Sequence, residues 1–283
     1  MHKKPKLHPR NKHKNGYIFE ELLDIEPELF QHITTNKNGE KTIDFFNPEA
    51  VKLLNAALLK KDYGIEFWDI PDGHLCPPIP GRADYMHHLA DLIGQHGHRH
   101  ILDIGTGANC IYPILGVCEY EWDFTATDVD PSSLKTARAI VQFNPQLTQK
   151  VRLIEQPNTN HIFKHVVSTE DYFDATMCNP PFFSSQEEAD LANRRKVKKL
   201  TGTRPKQAQY NFGGKQNELW YPGGEKAFIG QMIQESLVFK KQVGWFTTLV
   251  SKESSLKPLA DLLQSKQAEH RIIEMGQGNK KSR

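Results

Sequence analysis

The sequence lacks any apolar run long enough to span a bilayer. Val243–Val250 is among the longest, and a spanning helix needs about 20 such residues. Residues 1–16 have no apolar core of the kind a secretory signal carries, so no membrane partner is expected. Cysteine is scarce, with only Cys76, Cys110, Cys118 and Cys178, and no C-x-x-C pair occurs. That spacing excludes the common zinc and dithiol motifs and predicts no metal site and no disulfide framework. A reducing, cytoplasmic setting is the expectation. No internal repeat is present, which excludes solenoids and propellers.

Acidic residues are missing from two stretches. Residues 1–14 carry Lys3, Lys4, Lys6, Arg10, Lys12 and Lys14 without an acid. Residues 194–206 carry Arg194, Arg195, Lys196, Lys198, Lys199, Arg204 and Lys206, again without one. The whole chain has a net charge of only +2, so the remainder is acidic. Two basic patches on an acidic body predict a polyanionic partner.

The chain reads as three regions: a flexible basic tail over 1–16, a mainly helical region over 17–96, and an α/β domain over 97–283. In the second, Asn47-Pro48 is a cap and first turn, with Val51, Leu54 and Leu58 at helical spacing and Gly64 as a stop. Asp69–Pro80 is a proline-rich connection. Asp84 is expected to open a helix carrying Tyr85, Leu89, Leu92 and Ile93. From residue 100 strands and helices alternate. His100–Ile104, Phe124–Thr127, Val151–Glu155, Phe173–Met177, Val243–Val250 and Arg271–Met275 are predicted strands. Residues 184–224 form a polar, basic insertion. This alternation predicts a doubly wound, mostly parallel sheet, with ligands at the carboxyl ends of its strands.

The distinctive residues fall at those ends. Asp103-Ile104-Gly105-Thr106-Gly107 ends one strand with two glycines, which let the backbone approach a ligand because no Cβ intrudes. A third glycine is absent, Cys110 standing there instead, so this is not the dinucleotide-enzyme fingerprint. The pattern resembles the cofactor loop of class I (Rossmann-like) methyltransferases, where the amino-acid end of S-adenosylmethionine lies over the glycines. Asp128 ends the next strand, placed to accept hydrogen bonds from both ribose hydroxyls. Asn179-Pro180-Pro181-Phe182 ends a later one. This tetrapeptide has the form found in amino methyltransferases. Its Asn oxygen and first proline carbonyl fix the two hydrogens of an amine, the prolines lock φ, and the aromatic ring stacks on a flipped base. Such tetrapeptides serve adenine N6, guanine N2 and glutamine amides alike.

Longer blocks narrow the choice. Leu7-His8-Pro9-Arg10-Asn11, Trp68-Asp69-Ile70-Pro71-Asp72-Gly73, Cys76 through Tyr85, Gly107 through Pro113, Cys178 through Phe182 and Asn211-Phe212-Gly213-Gly214 together resemble the bacterial ribosomal RNA large subunit methyltransferase F family. The resemblance runs from about residue 5 to the C-terminus. That family makes N6-methyladenine at position 1618 of 23S rRNA and is related to eukaryotic methyltransferase-like 16 enzymes. The resemblance implies S-adenosyl-L-methionine as cofactor, and 23S ribosomal RNA or a large-subunit assembly intermediate as partner. It implies Arg82, Gly105, Asp128 and Asn179 as cofactor or catalytic positions, with Arg82 on the cofactor carboxylate, and more loosely Thr159. Asp103 and Gly107 of the glycine loop join the cofactor set. Relatives often carry Glu where this chain has Asp128, and either acid can hold a ribose.

Two rivals remain from other classes. One is an N5-glutamine methyltransferase acting on a protein factor, which leaves the basic insertion and tail without a purpose. The other is a non-catalytic RNA-binding protein on the same fold, which leaves the glycine loop, Asp128 and Asn179 without one. The fold also closes with an antiparallel strand after the sixth, and the sequence stops at Lys280-Lys281-Ser282-Arg283, where that strand should begin. The final strand is therefore expected to be missing.

Overall fold

The computed structural model describes residues 6–201, 216–277 and 280–282. Its elements, in chain order, are α1 (Phe19–Ile25), a 3₁₀ turn (Pro27–His32), β1 (Ile33–Thr35), β2 (Lys41–Ile43), α2 (Pro48–Tyr63), α3 (Ile79–Ile93), β3 (His100–Ile104), α4 (Ile111–Tyr120), β4 (Asp123–Asp128), α5 (Pro131–Phe143), α6 (Pro145–Thr148), β5 (Val151–Glu155), β6 (Phe173–Cys178), α7 (Gln186–Thr201), α8 (Gln216–Leu219), α9 (Gly224–Phe239), β7 (Val243–Trp245), α10 (Glu253–Ser265), β8 (Met275–Gln277) and β9 (Lys280–Ser282).

Five strands form one parallel sheet in the order β5-β4-β3-β6-β7. β3 is buried on both faces from Ile101 onward, with Ile101, Leu102 and Ile104 as its apolar residues. Ile101 packs into the cluster shared with α3 and α4, while Leu102 packs with Phe163, Phe173 and Met232 on the opposite face. The first cluster runs without a break from Leu22 and Leu54 through Met86 and Ile114 to Phe124. The helical N-terminal region therefore shares its core with the sheet.

Local chemistry sets the helix ends. Asn47 Oδ1 accepts from the amides of Glu49 and Ala50 at the start of α2. Gly64 closes that helix in the left-handed conformation. Asp130 caps α5 by accepting from Ser132.

Four expectations need correction. Residues 6–16 are not a free tail. His8, Asn11 and His13 are buried, and the segment is tied to α3 and α2. The Asp84 carboxylate accepts from the His8 amide and from Asn11 Nδ2, His8 Nε2 pairs with Asp91 at 2.9 Å, and His13 meets the Tyr63 hydroxyl at 3.0 Å. Asp84 accordingly lies inside α3, which starts at Ile79 with Pro80 in its first turn. The strand predicted over Val243–Val250 ends at Trp245; beyond it Thr247 bonds Thr176 through hydroxyls, its amide donating to the Thr176 hydroxyl and its own hydroxyl to the Thr176 carbonyl at 2.6 Å. Arg271–Met275 is not a sixth parallel strand. Met275–Gln277 pairs antiparallel with Lys280–Ser282 as a hairpin, so a short antiparallel strand is present, but among the described residues the hairpin does not join the central sheet.

α4 lies against the sheet so closely that Gly116 has no room for a side chain. A Cβ there would stand 2.2 and 2.4 Å from ring carbons of the fully buried Phe124. Gly116→Ala should cost about 1–3 kcal/mol through overpacking, read as a lowered denaturant midpoint with an unchanged slope. An unchanged midpoint would show that α4 packs on the sheet more loosely than this.

Candidate active site

The site follows from strand register. Thr127 of β4, Ile104 of β3 and Cys178 of β6 lie in one row across the sheet. The next residue of each strand is Asp128, Gly105 and Asn179. Parallel pairing therefore delivers the three signature residues side by side at the carboxyl edge. They line one cavity, together with Arg82, Thr159 and Pro181.

The glycine loop is pinned from beneath. The amides of Gly105 and Thr106 both donate to the Thr127 carbonyl, at 2.9 and 2.8 Å. Gly105 and Gly107 hold φ of 73° and 63°, the left-handed region where other residues are strained. Nothing lies within 4 Å of where a Gly105 Cβ would stand, so the backbone faces open cavity. Beside Gly107, Glu218 Oε1 would be 3.2 Å from an added Cβ, and Glu218 Oε2 accepts from the Leu75 amide at 3.2 Å. The insertion and the N-terminal region thus meet over the glycine loop.

Asp128 is almost fully buried and still lines the cavity. One of its oxygens accepts from the Gly107 amide and the other from the Asp130 amide, both at 2.8 Å. Burial raises its pKa, with those amides pulling the other way. Each oxygen keeps a second lone pair for a ligand hydroxyl.

Asp103, expected among the cofactor residues, lies beneath the cavity rather than in its lining. It has no exposure, and its carboxylate oxygens make no hydrogen bond of good geometry. Desolvation pushes the group up to about 7, opposed by the neighbouring Thr106 hydroxyl and by the charge of Arg82.

Arg82, on α3, is buried, and its Nη1 donates to the Tyr112 hydroxyl at 3.2 Å and to Asn179 Oδ1 at 3.1 Å. Tyr112 comes from α4 and Asn179 from the end of β6, so the guanidinium ties three elements together. After Asn179, the Leu249 amide donates to the Cys178 carbonyl at 2.9 Å, and Phe183 exchanges backbone bonds with Leu219 and Tyr221. Pro181 lines the cavity; Pro180 and Phe182 do not, and Phe182 is half-buried beside it.

Several lining residues carried no sequence signal. Gln156 follows β5, and its side chain donates to the carbonyls of Ile162 and Lys164, folding the loop that bears Thr159. Glu235 of α9 holds the same loop by accepting from the amides of Ile162, Phe163 and Lys164 at 2.7, 3.1 and 2.7 Å. Gln231, also on α9, bonds both Tyr221 and the Asn160 carbonyl. A lone Glu or Gln on a helix looks like a solvated residue, so only the fold reveals these.

The basic residues divide. Arg10 is spent on the protein: its guanidinium bonds Asp91, the His87 carbonyl and the Tyr120 hydroxyl. Lys12 pairs with Glu119 at 3.0 Å and lies over the Tyr63 ring. Both cations are engaged within the protein in this conformation, and the Lys12 side chain stays exposed. Lys14 bonds the Pro9 carbonyl but stays exposed, as does Lys6. Arg194, Arg195, Lys198 and Lys199 lie on α7, where the Arg194 side chain is exposed. Lys3, Lys4, Arg204, Lys206 and Asn211–Gly214 lie outside the described residues. No helix of the described residues is long and apolar enough to cross a membrane, and no group of His, Cys, Asp or Glu among them has metal-binding geometry.

Comparison with known proteins agrees with this arrangement. A family model described as RNA methyltransferase matches residues 1–283. The ribosomal RNA large subunit methyltransferase F of Bacteroides fragilis is 49% identical over 300 residues, covering 100% of this chain and 98% of the relative. The Klebsiella pneumoniae protein of that name is 50% identical, covering 99% and 93%. Among solved structures, the human METTL16 catalytic domain in complex with the MAT2A 3′UTR hairpin 1 superposes with a TM-score of 0.84 at 36% identity, covering 98% of this chain and 93% of that one. The N-terminal domain of human METTL16 in complex with SAH gives 0.78 at 30% identity, covering 98% and 96%. The chain belongs to this family of RNA methyltransferases, alongside the bacterial ribosomal RNA large subunit methyltransferase F proteins.

Proposed function

We propose that the chain transfers a methyl group from S-adenosylmethionine to the exocyclic N6 of one adenine in 23S ribosomal RNA, adenine-1618 by family resemblance. The observation that carries this reading is the placement of Asn179 and Pro181 in the same cavity as the glycine loop and Asp128. The residues present suit the cofactor. Open space over Gly105 accommodates its backbone-facing part, Asp128 has free lone pairs for a ribose, and Arg82 is a buried cation for a carboxylate. Thr159 lines the same cavity.

The cofactor supplies an electrophilic methyl on sulfonium sulfur. Asn179 supplies a side-chain oxygen and Pro180 a carbonyl, two acceptors for the two hydrogens of an amine. An adenine N6 lone pair is delocalised into its ring. Holding both hydrogens favours a pyramidal nitrogen with that lone pair aimed along the transfer axis. Transfer would form the N–C bond at the expense of the donor's C–S bond and leave an acidic nitrogen, whose proton would pass to water. Catalysis of this kind is mostly positioning. Phe182, half-buried beside the cavity, is the stacking face for a base swung out of its helix. α7 starts four residues later, and its sequence carries Arg194, Arg195, Lys198 and Lys199, proposed contacts to the RNA backbone, with Lys3, Lys4, Lys6 and Lys14 as further cations at the N-terminus.

Asp128→Ala should weaken S-adenosylmethionine binding by on the order of 1–3 kcal/mol, because charge-assisted hydrogen bonds to the ribose disappear, measured by calorimetry; unchanged affinity moves the ribose site elsewhere. Asn179→Ala should lower turnover by roughly two to three orders of magnitude while cofactor affinity changes little, and near-wild-type turnover, scored by mass mapping of methylated 23S rRNA, would sink the reading. Replacing Arg194, Arg195, Lys198 and Lys199 together with Ala should flatten the slope of log RNA affinity against log salt by about 0.7 for each phosphate of single-stranded RNA that is no longer neutralised. An unchanged slope makes α7 a solvated helix.

A further inference from the structure

The buried guanidinium of Arg82 is poorly matched by its surroundings. Both of its hydrogen bonds leave from Nη1, to Tyr112 and to Asn179 Oδ1. Among the described residues, Nε and Nη2 make no hydrogen bond, and no carboxylate lies within ion-pair distance. Asp103 feels the charge, but desolvation holds its carboxyl up to about 7 and no ion pair forms between them. A buried cation without a counter-ion is costly and takes an anion readily.

The atom that Arg82 does hold is the one the chemistry needs. Asn179 Oδ1 is the acceptor for a substrate amine in the reading above, on which this inference rests. An oxygen engaged by a guanidinium has given up one lone pair, and the cation has drawn density from the other. In this conformation Asn179 is a weakened acceptor.

We propose that Arg82 is a positioning residue with two alternative partners. Without cofactor it holds Asn179 Oδ1. When an amino-acid carboxylate lies over the glycine loop, the guanidinium turns to it and releases the Asn179 oxygen for the substrate amine. Tyr112 stays bonded throughout and acts as the pivot, its hydroxyl accepting from Arg82 and its ring lying beneath the guanidinium, 5.8 Å from ring centroid to the guanidinium carbon. The consequence is order: the site becomes competent for the base only after the cofactor tail is seated. By reciprocity, a bound base strengthens cofactor binding by the same factor.

The test uses the full chain with selective ¹⁵N-asparagine labelling. Loss of one side-chain amide signal in Asn179→Asp identifies the Asn179 resonance. The protein is titrated with S-adenosylhomocysteine, which has the carboxylate, and with 5′-methylthioadenosine, which has the nucleoside and sulfur but no carboxylate. The expected result is that S-adenosylhomocysteine moves the Asn179 resonance while saturating 5′-methylthioadenosine leaves it at its unliganded position. Equal movement by both ligands, or movement by neither, overturns the proposal in the wild-type protein, without reliance on any variant. In Arg82→Met the resonance should already sit away from the unliganded wild-type position and should not respond to S-adenosylhomocysteine; a retained response also overturns it. The substrate plays no part in this titration. The expected shifts with no N6-methyladenine formed would sink the adenine reading alone, and N6 methylation with a static Asn179 would sink the Arg82 device alone.

Discussion

The site depends on one constraint, the parallel pairing of β4, β3 and β6 in a common register. Thr127, Ile104 and Cys178 share a row, so the residue after each strand emerges at the same height. A slip of one residue in any pair would turn every side chain of that strand to the other face. Leu102 would leave the cluster with Phe163 and Phe173, and Asn179 would no longer stand beside Gly105. The packing that stabilises the sheet is thus the same packing that aligns the chemistry. Clusters on both faces of β3 fix the register from two sides.

Near that edge lie two buried ionisable groups that the protein does not fully satisfy. Asp103 has no good hydrogen bond, and Arg82 has no counter-ion among the described residues. Other acids are held more fully: buried Glu225 accepts from Ser251 and Lys252, and half-buried Glu235 from three consecutive amides. Of the two unmatched groups, Arg82 lines the cavity and can meet a ligand there. Ligand contacts that satisfy such groups stabilise the fold by mass action.

The legible parts of the sequence were those written by local backbone chemistry. Paired glycines after an apolar strand, a Pro-Pro corner after another, and Asn47 or Asp130 ahead of a proline each act within a few residues, so spacing alone reveals them. The fold class followed from the alternation of strands and helices. The misread parts all turn on distant partners. Asp84 looked like a helix start because acids often cap, yet its carboxylate serves the His8 amide. Val243–Val250 read as one strand because its residues are apolar and β-branched, yet beyond Trp245 the chain bonds Thr176 through threonine hydroxyls. The partners of Arg10 and Lys12, Asp91 and Glu119, are likewise distant in sequence, so spacing did not reveal these ion pairs. Arg82 is intermediate: its position was legible through family resemblance, while its bond to Asn179 joins residues 97 apart in sequence.

The N-terminal clasp has a bearing on how the chain is made. Its anchors lie 50 to 110 residues downstream, from Tyr63 for His13 to Tyr120 for Arg10. Closing loops of that size carries an entropy cost that only later contacts repay. Synthesis proceeds towards the C-terminus, so this segment leaves the ribosome before the helices that hold it, α2, α3 and α4, have been made. For that interval its basic side chains lack their acidic partners, and it reaches its final place only after those helices exist.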